Sequence, residues 1–464
     1  MEALEEGLED TIVAVATPPG PGGLAVVRLS GPHALAIGRA LVGTRELGAP
    51  RVASLFGLRD PGDGALLDRA LVTVFPGPAS YTGEDVVEVS THGGRVVPAR
   101  VLEVCRSLGA RQAEGGEFTR RAYLNGKLDL IQAEAVADLV EGRSRALQET
   151  ALFQLERGLS RRLGELRDAL VQVEALLMYH VDFPDEDEPP VGVDEVLEAA
   201  RALEGRLAEL LATAPQGRLL REGALTVLAG RPNSGKSSLF NALLGEERAI
   251  VTAIPGTTRD AVDAVVSVGG FPFRLVDTAG LRPSDDEVER IGIEVAHGLQ
   301  RRAEIVLFCL PANAECDAES ESYVAGLPDS VKVVFLRTFS DLARSREGTV
   351  DATGALSEVP SIRTSVVSGE GMEELQELLP RLAFHGRGRG GAGVPVLTRE
   401  RQAEGVRQAR DEVALFCQCL EWDVPADVAD THLREAAAAL DEVVGVVPLD
   451  SVLDRVFRDF CIGK

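Results

Sequence analysis

The sequence predicts a multidomain protein of the α/β plus α type. An α+β domain opens the chain, and a P-loop α/β domain is inserted between the two halves of a discontinuous helical domain. Three observations predict it. First, an apolar run of strand character, Leu225 to Ala229, leads into Gly230-Arg-Pro-Asn-Ser-Gly-Lys-Ser-Ser238, after which Leu239, Phe240, Leu243 and Leu244 repeat at helical spacing. That is the strand, loop and helix order of a Walker A phosphate loop. Second, long helical periodicity lies on both sides of this unit. Third, the first stretch mixes short β-type runs with short helical ones. At 464 residues the chain exceeds what one core usually fills. The expected segments are 1–127, 128–221, 222–382 and 383–464.

Taken in order, Thr11 to Thr17 and Leu24 to Ser30 flank Pro18-Pro-Gly-Pro-Gly-Gly23, two strands about a Pro/Gly loop, which reads as a hairpin-like unit. Helical patterning is expected over 32–42 and 98–108, and strands over 66–75 and 85–90. From Leu128 the texture changes: Ile131, Ala135 and Leu139, then Leu147, Leu152, Leu155, Leu159, Leu163, Leu166 and Leu170 keep a helical period. The acidic, Pro-rich Asp182-Phe-Pro-Asp-Glu-Asp-Glu-Pro-Pro190 interrupts it, and helices resume from Val193 to about Arg221. Strands at 225–229, 273–276, 305–310 and 332–336 then alternate with helices, the pattern of a parallel α/β domain. Gly386-Arg-Gly-Arg-Gly-Gly-Ala-Gly393 is a flexible linker by composition, and 397–464 is helical again.

With 45% hydrophobic and 26% charged residues the composition is that of a globular protein. No charged-then-apolar leader and no apolar run of membrane-spanning length is present, so a cytoplasmic protein without membrane attachment is expected. Cys105, Cys309, Cys316, Cys417, Cys419 and Cys461 are scattered without a C-x-x-C pair, which argues against a disulfide framework or zinc site. A net charge of −25 disfavours non-specific nucleic-acid binding. Of 48 cationic residues only Lys127, Lys236, Lys332 and Lys464 are lysine. Each therefore marks a place where a compact ammonium is wanted rather than a planar fork.

In a Walker A loop the backbone N–H groups of residues such as Asn233, Ser234 and Gly235 surround a polyphosphate, Lys236 reaches its outer phosphates, Ser237 offers a hydroxyl to Mg²⁺, and Ser238 sits in the first helical turn. Asp277-Thr278-Ala279-Gly280 places a carboxylate at a strand end for Mg²⁺ and a backbone N–H near the γ-phosphate, a spacing that favours a GTPase over an ATPase. Between them, Ile254-Pro255-Gly256-Thr257-Thr258 is the kind of polar segment that brings a threonine onto Mg²⁺. Leu281 follows Gly280 where many GTPases use glutamine to orient water, so another polar group is needed, and the acidic run Asp285, Asp286, Glu287, Glu289 supplies candidates. For the base, Thr338-Phe339-Ser340-Asp341 stands where Asn-Lys-x-Asp is usual. Asp341 keeps the carboxylate for guanine, whereas Phe339 offers an apolar face where a lysine stem usually lies along the base and Thr338 loses the amide that usually braces the loop, so guanine preference with weakened affinity is expected.

These residues together resemble a known family. Gly230 to Ser238, Ile250-Val-Thr252-Ala253-Ile-Pro-Gly-Thr-Thr-Arg-Asp260, Asp277 to Arg282 and Glu287-Val-Glu-Arg-Ile-Gly292 are similar to the MnmE (TrmE) tRNA-modification GTPases. So are Tyr81-Thr-Gly-Glu-Asp-Val-Val-Glu88, Gly116-Glu-Phe-Thr-Arg-Arg-Ala122, Leu124-Asn-Gly-Lys-Leu-Asp-Leu130, Asp182-Phe-Pro-Asp185 and the terminal Phe460-Cys-Ile-Gly-Lys464. The resemblance implies an N-terminal domain that dimerises and binds folate, a helical domain and a Ras-like GTPase domain. It implies a homodimer that acts with the FAD enzyme MnmG (GidA), as a heterotetramer, to build a carboxymethylaminomethyl-type group at C5 of the tRNA wobble uridine. The one-carbon unit would come from 5-formyl- or methylene-tetrahydrofolate.

Carried over residue by residue, K⁺ would be held by Asn233 and by groups of Thr252, Ile254 and Thr257, with Ala253 and Pro255 in the same nucleotide-facing loop. Thr258 would be the switch threonine at Mg²⁺ and Glu289 the group that orients water. Folate would meet Arg28, Glu88, Lys127 and Lys464, and Cys461 would be a redox or catalytic thiol. A GTP-dependent assembly or regulatory switch, such as a ribosome-biogenesis factor, would share the P-loop, but it has no reason to carry the N-terminal motifs or the Cys-Ile-Gly-Lys end.

Overall fold

The computed structural model describes residues 9–182, 191–246, 262–277, 298–314, 317–342, 359–384, 393–422, 424–446, 450–458 and 460–463. It contains two compact units, Met1–Ala137 with Ala437–Lys464, and Asp138–Ala436. No described helix is long and apolar enough to cross a membrane.

The first unit is built on a six-stranded sheet with order β3-β4-β5-β2-β1-β6. Its strands are β1 (Ile12–Val15), β2 (Leu24–Ser30), β3 (Ser54–Arg59), β4 (Leu66–Phe75), β5 (Val86–His92) and β6 (Arg111–Gln112). β1 and β2 pair antiparallel about the Pro/Gly loop, as the hairpin-like pattern predicts. The period-2 alternation of a strand sends Val27 and Leu29 of β2, and Val87 and Val89 of β5, into a core with Ile37, Leu41, Val101 and Val104 of helices Ala34–Val42 and Val96–Ser107. The intervening residues face the other side of the sheet, and the register sets Arg28 of β2 directly opposite Glu88 of β5.

The end of the chain belongs to this unit. Leu453, Val456, Phe457 and Phe460 join Tyr123, Leu130, Ala133 and Ala137 in one cluster. Beyond them Ile462 bridges Gly115 antiparallel, and Gly116 N donates to the Cys461 carbonyl at 3.2 Å. Gly463 has φ +96°, and a Cβ there would stand 2.7 Å from Ala16 Cα, so only glycine lets the tail lie this close to β1.

In the second unit the sheet order is β12-β11-β10-β7-β9-β8. The strands are β7 (Ala224–Ala229), β8 (Val262–Val268), β9 (Phe271–Asp277), β10 (Ile305–Pro311), β11 (Lys332–Thr338) and β12 (Ser361–Arg363). The four strands expected from the sequence are parallel, and β8, which was not expected, adds an antiparallel edge by forming a hairpin with β9 about Gly269 and Gly270. The central strands are buried on both faces: Val227, Val276, Val306 and Phe308 pack on one side, Leu228, Leu275, Leu307 and Leu336 on the other. That double burial explains their near-continuous apolar runs.

Helices Arg145–Leu155, Gly158–Asp182, Val193–Leu211 and Ala214–Glu222 precede this sheet, and Glu400–Glu421 follows it. The returning helix packs along Val193–Leu211 and is tied to it by the ion pair Arg201–Glu421. Arg399 pairs with Asp138 at 2.6 Å, and Arg221 lies 3.7 Å from the same carboxylate. At the junction Leu397 N donates to Thr213 Oγ1 at 3.2 Å, and a Cβ on Gly217 would stand 1.9 Å from the Leu397 carbonyl. The two helical stretches are thus packed together around the inserted α/β segment.

Candidate functional site

The first candidate site forms where β7 ends. Gly230, at φ +129°, leaves no room for a side chain, since a Cβ there would meet the Cys309 carbonyl at 2.3 Å. Asn233 is also left-handed, at φ +60°, a conformation that asparagine tolerates better than most residues. This loop runs into helix Lys236–Glu246, whose first-turn N–H groups have no acceptor within the helix itself. Lys236 is buried, and its Nζ donates to the Gly230 and Arg231 carbonyls at 2.8 and 2.6 Å. Ser234 Oγ is buried without a hydrogen-bond partner among the described residues.

Register then brings in the acid. β9 lies parallel to β7 with Asp277 level with Leu228, which sets its carboxylate beside the loop, 4% exposed. Ser237 Oγ donates to Asp277 Oδ2 at 2.9 Å. A hydroxyl and a carboxylate converging at a helix N-terminus are hard oxygen donors that suit Mg²⁺, and the ammonium and N–H groups beside them suit phosphate. The neighbouring Cys309 takes no part: burial pushes its thiol up to about 12.

At the other end of the loop one expectation is corrected. Thr338 does not leave the loop unbraced, because its Oγ1 donates to the Ser234 carbonyl at 2.7 Å, buried. β11 ends at this residue, so the hydroxyl is aimed across at the phosphate loop and does without the longer amide. Asp341 Oδ1 accepts from Ser365 Oγ at 2.7 Å, and Ser340 Oγ donates to Glu370 Oε2 at 2.7 Å. Both Ser365 and Glu370 belong to Ser365-Val-Val-Ser-Gly-Glu-Gly371, which by sequence matches the second base-facing loop of GTPases only in part.

The second candidate site lies on the other face of the first unit's sheet, beside the small cluster of Ile12, Ala14, Ala113 and Phe118. Arg28 Nε donates to Glu88 Oε1 at 2.8 Å, and its Nη1 donates to the Gly463 carbonyl at 3.2 Å. The guanidinium carbon stands 5.8 Å from the Tyr81 ring centroid and 5.6 Å from that of Phe118. Tyr81 bonds Thr119 at 2.9 Å, and burial raises its phenol above the ordinary value. Lys127 is exposed and donates to the Pro78 carbonyl at 3.0 Å. Cys461 is exposed. Tyr81 and Phe118 were legible only as members of motifs, since nothing in their spacing says that they flank Arg28.

In the second unit Lys236, Ser237 and Asp277 converge at the phosphate loop, and Thr338, three residues before Asp341, bonds the Ser234 carbonyl of that loop, while Asn233, Gly235 and Ser238 lie along the same segment. In the first, Arg28, Glu88 and the Gly463 carbonyl meet. Thr252, Ala253, Ile254, Pro255, Gly256, Thr257, Thr258, Thr278, Ala279, Gly280, Glu289 and Lys464 lie outside the described residues.

Comparison with known proteins adds what geometry alone cannot. Residues 11–127 match the family described as GTP-binding protein TrmE N-terminus, and residues 130–461 match the MnmE helical domain. The chain is 39% identical to the tRNA modification GTPase MnmE of Moorella thermoacetica, over 98% of this chain and 100% of that one. It is 41% identical to the proteins of that name from Koribacter versatilis and Symbiobacterium thermophilum, over 98% of this chain and all of each relative.

Proposed function

The chain belongs to the MnmE family of tRNA modification GTPases, and on that premise we propose that its GTP hydrolysis depends on potassium and is coupled to folate-fed chemistry on the tRNA wobble uridine. The observation that carries the hydrolytic half is the Ser237–Asp277 contact of 2.9 Å beside Lys236. Ser237 and Asp277 would hold Mg²⁺, with Thr258 as a third oxygen donor. Asn233, Thr252, Ile254 and Thr257 would hold K⁺. The two cations supply positive charge against which the transferring phosphoryl group is stabilised.

The chain's own groups do the rest. Lys236, folded onto the loop carbonyls, turns to the outer phosphates when nucleotide fills the loop. The Gly280 N–H would serve the γ-phosphate, and Glu289 would orient the attacking water, since Leu281 stands where many GTPases carry a glutamine.

The second half rests on Arg28 and Glu88. A carboxylate that accepts from an aminopyrimidine edge, next to cations that meet a glutamate tail, suits a 5-formyl- or methylene-tetrahydrofolate. Lys127 and Lys464 supply further positive charge, and Cys461 supplies a thiol within the same tail. We further infer a homodimer through the first unit and a heterotetramer with the FAD-dependent MnmG (GidA), working in the cytoplasm on tRNA to install a carboxymethylaminomethyl-type group at C5.

Hydrolysis measured in potassium and in sodium at equal ionic strength tests the first half. Rates should be at least about tenfold higher in potassium, and equal rates reject the cation assignment. Nucleoside analysis of tRNA from a deletion strain complemented with this chain tests the second: the modified uridine should return.

A further inference from the structure

We propose that Phe339 is the surface on which the nucleotide base stacks, so that in this chain an aromatic ring supplies base affinity while Asp341 supplies base choice. The proposal rests on the reading of the phosphate loop as a GTP site and deepens it.

Phe339 has φ +57°, in the left-handed region that a bulky side chain enters only when its surroundings hold it there. Three bonds do so. Thr338 Oγ1 is fixed on the Ser234 carbonyl, Leu342 N donates to the Phe339 carbonyl at 3.1 Å, and Ser340 N donates to the Thr364 carbonyl at 3.3 Å. The strained turn places the ring beside the phosphate loop: a Cβ on Gly235 would stand 3.3 Å from Phe339 Cζ. Gly235, at φ +91°, is therefore both a turn residue and the space the ring needs.

The described residues cover the ring only in part. It keeps 37% of its surface exposed, and on the adjoining loops Leu342 is 74%, Val366 43% and Val367 88% exposed. Neither residues 338–342 nor residues 364–371 include a cation. Their charges are Asp341, which accepts from Ser365, and Glu370, which accepts from Ser340. A partly exposed ring against Gly235 of the phosphate loop, two positions from an anchored carboxylate, has the chemistry of a purine pocket. The π-face of the base lies on the ring, and a carboxylate accepts from the N1 and N2 hydrogens of guanine while facing a lone pair on adenine N1. An aromatic ring serves stacking without regard to which purine is bound, so the two tasks fall on separate side chains.

The test is calorimetric titration of the full chain, with Mg²⁺, by GDP, IDP, ADP and inorganic pyrophosphate. Phe339→Leu keeps the site apolar but removes the ring. It should weaken GDP and IDP about tenfold while leaving pyrophosphate within about twofold and the GDP to ADP ratio unchanged. Phe339→Trp should hold GDP within about threefold of the parent. The chain has a single tryptophan, Trp422, so in a Trp422→Phe background the new indole is alone. Its fluorescence should be quenched by GDP and not by pyrophosphate. GDP bound as tightly by Phe339→Leu as by the parent, or an unquenched indole, overturns the proposal and leaves the nucleotide site standing. Failure of both GDP and pyrophosphate to bind the parent chain overturns the nucleotide reading and this proposal with it.

Discussion

At Thr338 a single hydroxyl does the work of a missing amide. Its bond to the Ser234 carbonyl is buried and neutral, and such a bond contributes about 1 kcal/mol, with a larger cost when one partner is left bare. Thr338→Val keeps the shape and removes the donor, so GDP affinity should fall about fivefold, read by titration of fluorescent GDP. The same residue shows how far the sequence could be read. The P-loop, Asp277 and Asp341 were legible because their chemistry demands those residue types at those spacings. The brace was not, because it depends on where β11 stops relative to the loop, and the loss of the amide pointed the other way. Arg28 and Glu88 could be paired only through the resemblance until the register of β2 against β5 put them face to face.

Among the elements, helix Glu117–Leu124 carries the least ordinary burden. Its Arg121 is 2% exposed and is surrounded by carboxylates: Glu84 at 3.1 Å, Glu117 at 3.1 Å, and Asp10. Burial by itself would lower the arginine's pKa, but the attraction of Glu84, Asp10 and Glu117 outweighs it and holds the charge in place. Removing one member of a buried ionic cluster leaves the others uncompensated, at a cost of about 3–5 kcal/mol. Arg121→Met should lower the thermal midpoint accordingly, and adding Glu84→Gln should recover part of the loss.

The same cluster sets an acid limit. Burial tends to raise the Glu117 carboxyl, yet the bonds from Arg111, Glu114 N–H and Arg121 bring it below its ordinary 4.5. Burial also tends to raise Asp10, and Arg111 and Arg121 bring it below 3.8. Folded carboxylates with depressed values bind fewer protons than unfolded ones. Their stabilisation is therefore complete above pH 4.5 and is lost as pH falls through the lowered values. Circular dichroism melts between neutral pH and pH 3 should show this loss, and it should be shallower in Arg121→Met. The sequence displayed Arg121 only as part of a motif. Nothing in a helix of mixed charge says which arginine points inward until the neighbouring Asp10 and Glu84 are in place.

For the molecule as a whole, the chain's last residues complete a site begun by its first strands. Arg28 accepts its geometry from Glu88 on one side and from the Gly463 carbonyl on the other, and Ile462 is held by its bridge to Gly115. Deleting Cys461 to Lys464 should therefore weaken 5-formyltetrahydrofolate binding by at least about tenfold in calorimetry, with GDP binding unchanged. The net charge of −25 makes a broad electrostatic embrace of tRNA unfavourable, so contact with that substrate must be local. The helical periodicity on both sides of the P-loop foretold an inserted domain because period and composition change abruptly there. The allegiance of residues 437–464 to the first unit was hidden, since an amphipathic helix does not name its partner.

The junction at Thr213, Gly217 and Leu397 makes the nucleotide segment a cassette. Its two leads emerge side by side, with Leu397 N on Thr213 Oγ1 and the Leu397 carbonyl against Gly217, and the bond from Ala146 N to the Gly270 carbonyl at 2.9 Å is one further point of attachment. A module with close-set ends can be gained, exchanged or lifted out without rerouting its host. The helical scaffold is in that sense a socket. The fit is closest where Leu220 of the incoming helix enters the same core as Phe273 and Leu275, so plug and socket share a seam as well as a pair of leads.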